Sequence, residues 1–257
     1  GYGELAERVR RVAAGLRKLG IRREERVLLL MHDCNHWPVA FLGCLYAGIV
    51  PVAVNTLLTA DDYAYMLAHS RAQAALVSAP LLDTLRAAMT RGPHELGPLI
   101  VSRAAAGSAL PEGALDFDAW LDAADAAAEP ADTAADDIGF WLYSSGSTGR
   151  PKGTVHTHGN LYWTAELYGK PILGLTESDV CFSAAKLFFA YGLGNALSFP
   201  LSVGASVMLM AERPTPDAVF RRWVGEVHGT KPTVFFGAPT GYAGILASPR
   251  LPAKSQV

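Results

Sequence analysis

Apolar positions in the first half of the chain follow two different spacings. The first spacing is helical and predicts an amphipathic helix at the start of the sequence. The residues that follow this spacing are Leu5, Val9, Val12, Leu16 and Leu19. Continuous apolar runs of strand length follow at residues 27–31, 50–54, 74–77 and 99–101. Helical stretches separate these runs, and the capping-box pattern of Thr59 and Asp62 introduces one of them. Strands that alternate with helices favour parallel βαβ units, so the sequence predicts an α/β fold.

The second half of the chain repeats this alternation. Its strand-like runs lie at residues 138–142, 180–183, 205–210 and 233–236. Helical stretches begin near Gly159, Gly192, Thr215 and Pro239, and Thr215 before Pro216 is a typical helix start. We therefore expect two similar subdomains, each with a mixed, largely parallel sheet flanked by helices.

The composition changes between residues 104 and 137, where Ala, Asp, Glu, Gly and Pro dominate. The strong apolar residues there are Phe117, Trp120 and Leu121, and their spacing predicts one short helix within a surface connection. The predicted organisation is a first subdomain at 1–103, a connection at 104–137 and a second, incomplete subdomain at 138–257.

The composition as a whole is that of a globular protein, with 50% hydrophobic and 18% charged residues among 257. A formal net charge of −2 without a long basic run argues against a nucleic-acid or membrane-surface partner. Cys34, Cys44 and Cys181 stand far apart in apolar surroundings, which is typical of buried thiols in a reducing compartment. No stretch approaches the roughly 18 apolar residues of a membrane span. We expect a cytoplasmic protein.

Residues 143–153, Tyr-Ser-Ser-Gly-Ser-Thr-Gly-Arg-Pro-Lys-Gly, form a glycine-rich segment between two strand-like runs. Backbone N–H groups of such a loop can surround an anion, while hydroxyl and ammonium groups add donors and positive charge. This combination predicts a loop that grips the phosphates of a nucleotide triphosphate. An ordinary hairpin turn also favours Ser, Gly and Pro, but has no use for so many donors. The Walker A spacing fails, because Arg150 and Pro151 separate Gly149 from Lys152.

The segment resembles the signature loop of the adenylate-forming superfamily, which includes acyl-CoA synthetases, adenylation domains of peptide synthetases and luciferases. Every glycine and the Pro-Lys-Gly ending are in place, so the likeness is specific. The residues expected to bind ATP phosphates are Ser144, Ser145, Gly146, Ser147, Thr148, Gly149 and Lys152. Lys152 would act as a mobile counter-charge. The resemblance also implies Mg²⁺ and coenzyme A.

A second candidate segment, residues 186–195, lies between a predicted strand and helix, where ligands of open α/β sheets bind. Its aromatic residues could form a flat slot, and Gly192 would let backbone come close. Core packing with a helix start explains the same residues equally well. The sequence Phe-Phe-Ala-Tyr-Gly-Leu-Gly-Asn, however, is similar to the corresponding segment of benzoate-CoA ligases. That likeness implies that Phe189, Ala190 and Tyr191 touch an aroyl group or its carboxylate, and that Phe236 forms another pocket wall.

The resemblance therefore implies a parent protein that activates an aromatic carboxylate with Mg-ATP and transfers the acyl group to coenzyme A. A carrier-protein thiol or an oxygen acceptor would use the same loop, and a non-catalytic nucleotide-binding module would also retain it. A homodimer of the parent is a further option.

Neither a metal site nor a catalytic residue is expected within this sequence. His156 and His158 would share a strand face, but no third metal ligand stands near them. In the family, the adenine-binding segment, the aromatic-Gly-x-Thr-Glu box and the catalytic lysine lie further along a longer chain. We interpret the sequence as part of the family's N-terminal domain, and we expect it to complete no ligation alone.

Overall fold

The computed structural model describes residues 1–105, 107–144 and 149–257. The chain divides into two compact units, Gly1–Gly159 and Asn160–Val257. Helices of membrane-spanning length and hydrophobicity do not occur in the part of the chain that the structure describes.

A seven-stranded sheet forms the centre of the first unit. Its strands are β1 (Arg26–Leu30), β2 (Val50–Ala53), β3 (Ala74–Ser78), β4 (Leu99–Ser102), β5 (Ala114–Asp116), β6 (Ile138–Ser144) and β7 (Lys152–Thr157). They are arranged in the order β5-β4-β3-β1-β2-β6-β7. All neighbours are parallel except β6 and β7, which are antiparallel. The predicted α/β class is therefore confirmed.

Helices of the first unit make the central strands inaccessible to solvent. They are α1 (Tyr2–Lys18), α2 (His36–Tyr46), α3 (Ala60–Ser70), α4 (Leu82–Met89) and α5 (Phe117–Asp122). β2 and β3 are buried at every position, as expected for parallel strands covered on both faces. Glycines allow α1 to approach its neighbours closely: a Cβ on Gly43 would lie 2.4 Å from Val12, and one on Gly15 would lie 2.5 Å from Trp120.

The predicted start of α3 is confirmed in detail. The Thr59 backbone N–H donates to the Asp62 carboxylate at 2.9 Å, and the Asp62 backbone N–H donates to the Thr59 hydroxyl at 3.4 Å. This reciprocal capping box satisfies two N–H groups that the first helical turn would leave without partners. It fixes the position at which α3 begins.

The structure corrects the predicted boundary before residue 138. β6 pairs in parallel with β2, matching Val52 to Trp141 and Ala53 to Leu142, so residues 138–159 belong to the first unit. The segment 104–137 also belongs to this unit, because β5 pairs with β4. It carries the one short helix that its apolar spacing predicted. Local patterns identified these strands, but the choice of pairing partner depends on contacts distant in sequence.

The second unit contains a smaller parallel sheet. Its strands are β8 (Val180–Ser183), β9 (Ser206–Met208) and β10 (Val234–Phe236), in the order β10-β8-β9. The helices that follow β7 along the chain are α6 (His158–Thr164), α7 (Ala190–Leu193), α8 (Phe199–Val203), α9 (Pro216–Trp223) and α10 (Pro239–Leu246). π-Helical turns at Ala165–Gly169 and Gly194–Ser198 follow α6 and α7. The Ala218 backbone N–H donates to the Thr215 hydroxyl at 3.4 Å, so the predicted cap of α9 is confirmed.

The three cysteines are buried and carry no disulfide. Burial raises the pKa of the Cys181 thiol to about 11, with Asp179 adding to the shift. Burial also raises the pKa of Cys44. These two thiols are therefore neutral near neutral pH and unsuited to nucleophilic chemistry.

Candidate functional site

The predicted phosphate loop is mounted on a β-hairpin of the first unit. β6 and β7 pair in antiparallel register, and the pair that leads into the loop joins Ser144 to Lys152. Directly opposed residues of an antiparallel ladder project to the same face, so a hydroxyl and an ammonium group emerge together. Both residues are exposed. Four predicted phosphate ligands lie outside the described residues: Ser145, Gly146, Ser147 and Thr148.

Gly149 adopts a backbone conformation that favours glycine. Its φ of 91° lies in the left-handed region, which is strained for residues that carry a Cβ. A Cβ built at this position would meet no atom within 4 Å. Backbone conformation rather than crowding therefore explains the glycine.

Helix α3 contacts the chain on both sides of the loop. On the returning side, the Tyr65 hydroxyl donates to the Pro151 carbonyl oxygen at 3.1 Å, and the Arg150 guanidinium lies 5.3 Å from the Tyr65 ring centre. On the entering side, His69 Nδ1 lies 2.8 Å from the Tyr143 hydroxyl. Sequence reasoning missed Tyr65 and His69. Their spacing of four residues on the predicted helix was a signal that they share one face.

Tyr143, the first residue of the motif, is half-buried beside this helix. Burial raises the pKa of its hydroxyl, and the neighbouring Tyr65 adds to the shift, so the hydroxyl is protonated at neutral pH. Gly153 stands opposite Tyr143 in the hairpin, and a Cβ there would lie 3.2 Å from Trp141 and 3.5 Å from His69. The glycine therefore leaves room for the rings that approach this end of the hairpin.

The two histidines of β7 and α6 have separate surroundings. The His156 ring stacks on Phe140, with ring centres 4.7 Å apart and planes at 6°. Burial lowers the pKa of both His156 and His158; for His158 the charge of Asp137 opposes that shift and Arg23 adds to it. Within the described ranges, no group of three or more His, Cys, Asp or Glu side chains is arranged to hold a metal ion.

The second candidate segment lies at the carboxyl ends of β8 and β10, in the second unit. The Ala184 N–H donates to the Phe236 carbonyl oxygen at 2.9 Å, directly after β8. The Tyr191 hydroxyl donates to the Gly237 carbonyl oxygen at 3.3 Å, directly after β10. Tyr191 therefore contacts the chain at the end of β10, at the edge where open α/β sheets bind ligands.

The predicted aromatic residues differ sharply in exposure. Phe189 is 45% exposed and Tyr191 50% exposed, and Ala190 between them is exposed as well. Phe236, by contrast, is 7% exposed and packs in a core cluster with Cys181 and Phe199. The structure thus brings residues 189–191 to the surface together. For Phe236 it shows a core contact, and the substrate contact stays a prediction.

At Gly192 the helix α7 lies very close to another part of the protein's own backbone. A Cβ at this position would lie 2.1 Å from the carbonyl oxygen of Lys186, which no rearrangement of side chains can relieve. The close approach therefore brings α7 against the protein's own backbone. The Lys186 ammonium group is itself held by the carbonyl oxygens of Met210 and Glu212, the latter at 2.7 Å.

Two further tyrosines act electrostatically on Tyr191 and were missed from the sequence. Burial raises the pKa of Tyr191, and Tyr242 and Tyr168 add to the shift, while the Asn195 side chain opposes it. Tyr168 is 47% exposed and Tyr242 41% exposed. Nothing in the local pattern marks these two residues, because they come from a π-helical turn and from α10.

A protein-family model described as "AMP-binding enzyme" matches residues 1–257, the whole chain. The chain belongs to the AMP-binding enzyme family. It is 49% identical over 257 residues to a benzoate-CoA ligase of Thauera aromatica, covering 100% of this chain and 46% of that protein. The resemblance inferred from residues 143–153 is thereby confirmed.

Solved structures extend this finding to the fold. A benzoate CoA ligase from Burkholderia xenovorans LB400 matches with a TM-score of 0.89 and 57% identity, covering 100% of this chain and 48% of that one. An anthranilate CoA ligase solved in complex with anthranoyl-AMP matches with a TM-score of 0.88 and 36% identity, covering 96% of this chain and 46% of that one. The chain spans about half the length of the curated relatives it matches.

Proposed function

We propose that the protein containing this chain activates a benzoate-like carboxylate with ATP and then forms a thioester with coenzyme A. The observation that carries the proposal is the pairing of Ser144 with Lys152, which presents a hydroxyl and an ammonium group together at the mouth of the phosphate-loop motif. The ligases named above support the choice of an aromatic acid and a coenzyme A acceptor.

The reaction has two balanced steps. A carboxylate oxygen attacks the α-phosphorus of ATP, a C–O–P linkage forms, and the bond to pyrophosphate breaks. The sulfur of coenzyme A then attacks the acyl carbon, the thiol proton is lost, and AMP leaves. Donors of the loop contribute by stabilising charge on the departing pyrophosphate. We assign this role to Lys152, to the backbone at Gly149 and to the hydroxyl groups of the loop.

The carboxylate site is proposed at the strand ends of the second unit. Phe189 and Tyr191 offer exposed ring surface on either side of the small Ala190. A planar aromatic acid gains from offset or edge contacts with such rings and needs no long tunnel. Gly192 serves this site by allowing α7 to lie against the 185–186 backbone. Phe236 would support the site from beneath.

Mg²⁺ is proposed to arrive with the nucleotide. Magnesium is usually held by substrate phosphates, water and one or two protein oxygens rather than by a protein cage.

We also propose a cytoplasmic location for the protein that contains this chain, because its cysteines are buried and free of disulfides. That this protein forms a homodimer stays a prediction.

The test uses the full-length natural protein that contains this chain. Incubation with ATP, benzoate and coenzyme A should release AMP and form benzoyl-CoA in equal amounts, and omission of benzoate should abolish both. A carrier protein in place of coenzyme A tests the alternative acceptor. Failure to release AMP with a broad panel of aromatic and aliphatic carboxylates would overturn the proposal.

A further inference from the structure

We propose that helix α3 anchors both ends of the phosphate loop, with Tyr65 and His69 as positioning residues for ATP binding. The inference rests on the proposed function. It concerns residues outside the motif, within the first unit.

The returning end of the loop is held by two interactions with one side chain. The Tyr65 hydroxyl donates to the carbonyl oxygen of Pro151, the residue before Lys152. The Tyr65 ring lies 5.3 Å from the guanidinium carbon of Arg150, within the range of a cation–π contact. A single tyrosine therefore fixes the two residues that lead into the lysine.

The entering end is held one helical turn further along α3. His69 Nδ1 lies 2.8 Å from the hydroxyl of Tyr143, the residue before Ser144. The His69 and Tyr65 rings are themselves stacked, with centres 5.4 Å apart. The two anchors thus form one continuous surface along the helix.

The helix is a rigid support for these anchors. Its first turn is fixed by the Thr59–Asp62 capping box. Its opposite face is inserted in the core through Tyr63, Met66 and Leu67, each at most 1% exposed. Fixed positions for Tyr143, Arg150 and Pro151 should lower the entropic cost of binding ATP, because that part of the ordering is present before the ligand arrives.

Ordinary packing predicts a different result, and the chain offers a matched control. Tyr46 donates to the Ala128 carbonyl oxygen at 3.1 Å, the same bond type and length as that of Tyr65, in the same unit. If the Tyr65 bond only stabilises the fold, Tyr65→Phe and Tyr46→Phe should behave alike. If it positions the loop, only Tyr65→Phe should weaken ATP binding.

The experiment compares Tyr65→Phe, Tyr143→Phe, His69→Gln and the His69→Gln/Tyr143→Phe double variant with Tyr46→Phe in the full-length natural protein. We expect the KM for ATP, and the Kd of a non-hydrolysable ATP analogue measured by calorimetry, to rise about tenfold for Tyr65→Phe and Tyr143→Phe. Tyr46→Phe should change both by less than about twofold, and the KM for benzoate should stay within about twofold in every variant. The double variant should lose no more affinity for the ATP analogue than the weaker-binding of its two single variants.

Equal Kd changes for Tyr65→Phe and Tyr46→Phe, or full additivity in the double variant, would overturn the inference. The melting temperature of each variant separates loop effects from unfolding. The analogue affinity tests the anchoring even if no carboxylate is activated, so failure of the proposed function appears separately, as absent AMP release by the unmodified protein.

Discussion

Ser144 and Lys152 stand directly opposite each other where β6 and β7 lead into the phosphate loop. The pairing fixes the origin of the lysine side chain by backbone hydrogen bonds, and the residue is exposed, as the proposed role of a mobile counter-charge requires. A counter-charge with a fixed base and a mobile end suits a phosphate group that changes position during reaction.

Replacing Lys152 by Met should therefore reduce kcat/KM for ATP by roughly 10- to 100-fold, the range expected for one charge-assisted hydrogen bond. The residue is exposed, so the melting temperature should change little. Lys18→Met is the control, because Lys18 is exposed at the end of α1, away from the motif. An equal kcat/KM for ATP in the two variants would contradict the proposed role of Lys152 in phosphate binding.

Gly149→Ala tests the left-handed backbone at the loop. A φ of 91° costs a residue with a Cβ about 1–2 kcal/mol, and no clash adds to it. We expect a raised KM for ATP with a small change in unfolding free energy. Gly149→Asn should be milder, since Asn tolerates this region better. A variant series in which Asn is worse than Ala would contradict the conformational explanation.

Gly192→Ala should instead destabilise the second unit. The 2.1 Å approach to the Lys186 carbonyl oxygen forces backbone movement, at a cost of about 1–3 kcal/mol or more. Gly241 in α10 is the matched control, because a Cβ there meets nothing within 4 Å. Gly241→Ala should be neutral or stabilising by up to about 1 kcal/mol. Urea denaturation of both variants measures the difference.

Alanine substitutions at Phe189 and Phe236 should have different effects, one on benzoate binding and the other on stability. Phe189→Ala removes a side chain that is 45% exposed, so we expect a higher KM for benzoate with an unchanged KM for ATP and little loss of stability. Phe236→Ala empties a core position and should cost about 3–5 kcal/mol of stability. Tyr162→Ala, at an exposed aromatic residue of α6, controls for surface truncation. Parallel losses for benzoate and ATP in Phe189→Ala would assign that residue to the fold alone.

Stability should fall as pH drops below the ordinary histidine pKa. Burial lowers the pKa of His36, which Asp118 opposes and Arg8 and Arg103 reinforce. The unfolded chain therefore binds more protons than the folded chain below about pH 6.5, and unfolding becomes easier as acid is added. His156 and His158 act in the same direction. Unfolding free energies measured from about pH 5 to 7.5 should rise with pH, and more steeply than in His36→Gln. A flat or inverted profile would contradict this assignment.

The sequence predicted most elements because their signals are local. The buried apolar run of β1, the capping box of Thr59 and the Thr215 cap each depend on a few adjacent residues. The phosphate-loop motif was visible for the same reason. Membership of β6 in the first sheet was not visible, because its pairing with Val52 and Ala53 joins segments about 90 residues apart.

The surroundings of the candidate site were less predictable than its motif residues. His69 and Tyr143 are 74 residues apart in sequence. Neither the helical pattern around His69 nor the strand-like run that contains Tyr143 indicates that these two side chains meet. Gly192 was expected to let backbone come close, but the sequence did not identify the carbonyl oxygen of Lys186 as the group that approaches it. Such contacts follow from the way elements pack, which single-sequence periodicity does not contain.

The position of β7 has a consequence for amide hydrogen exchange. Among the described strands it stands at one end of the seven-stranded sheet and pairs with β6, which itself matches β2 at only Val52 and Ala53. β7 pairs along only one of its edges, whereas β1 and β3 each pair along both, so the amides of β7 should exchange sooner than those of β1 and β3, through local fluctuation rather than global unfolding. Deuterium uptake should thus proceed from the motif toward the sheet centre, and bound ATP should slow it at the hairpin before anywhere else in the first unit.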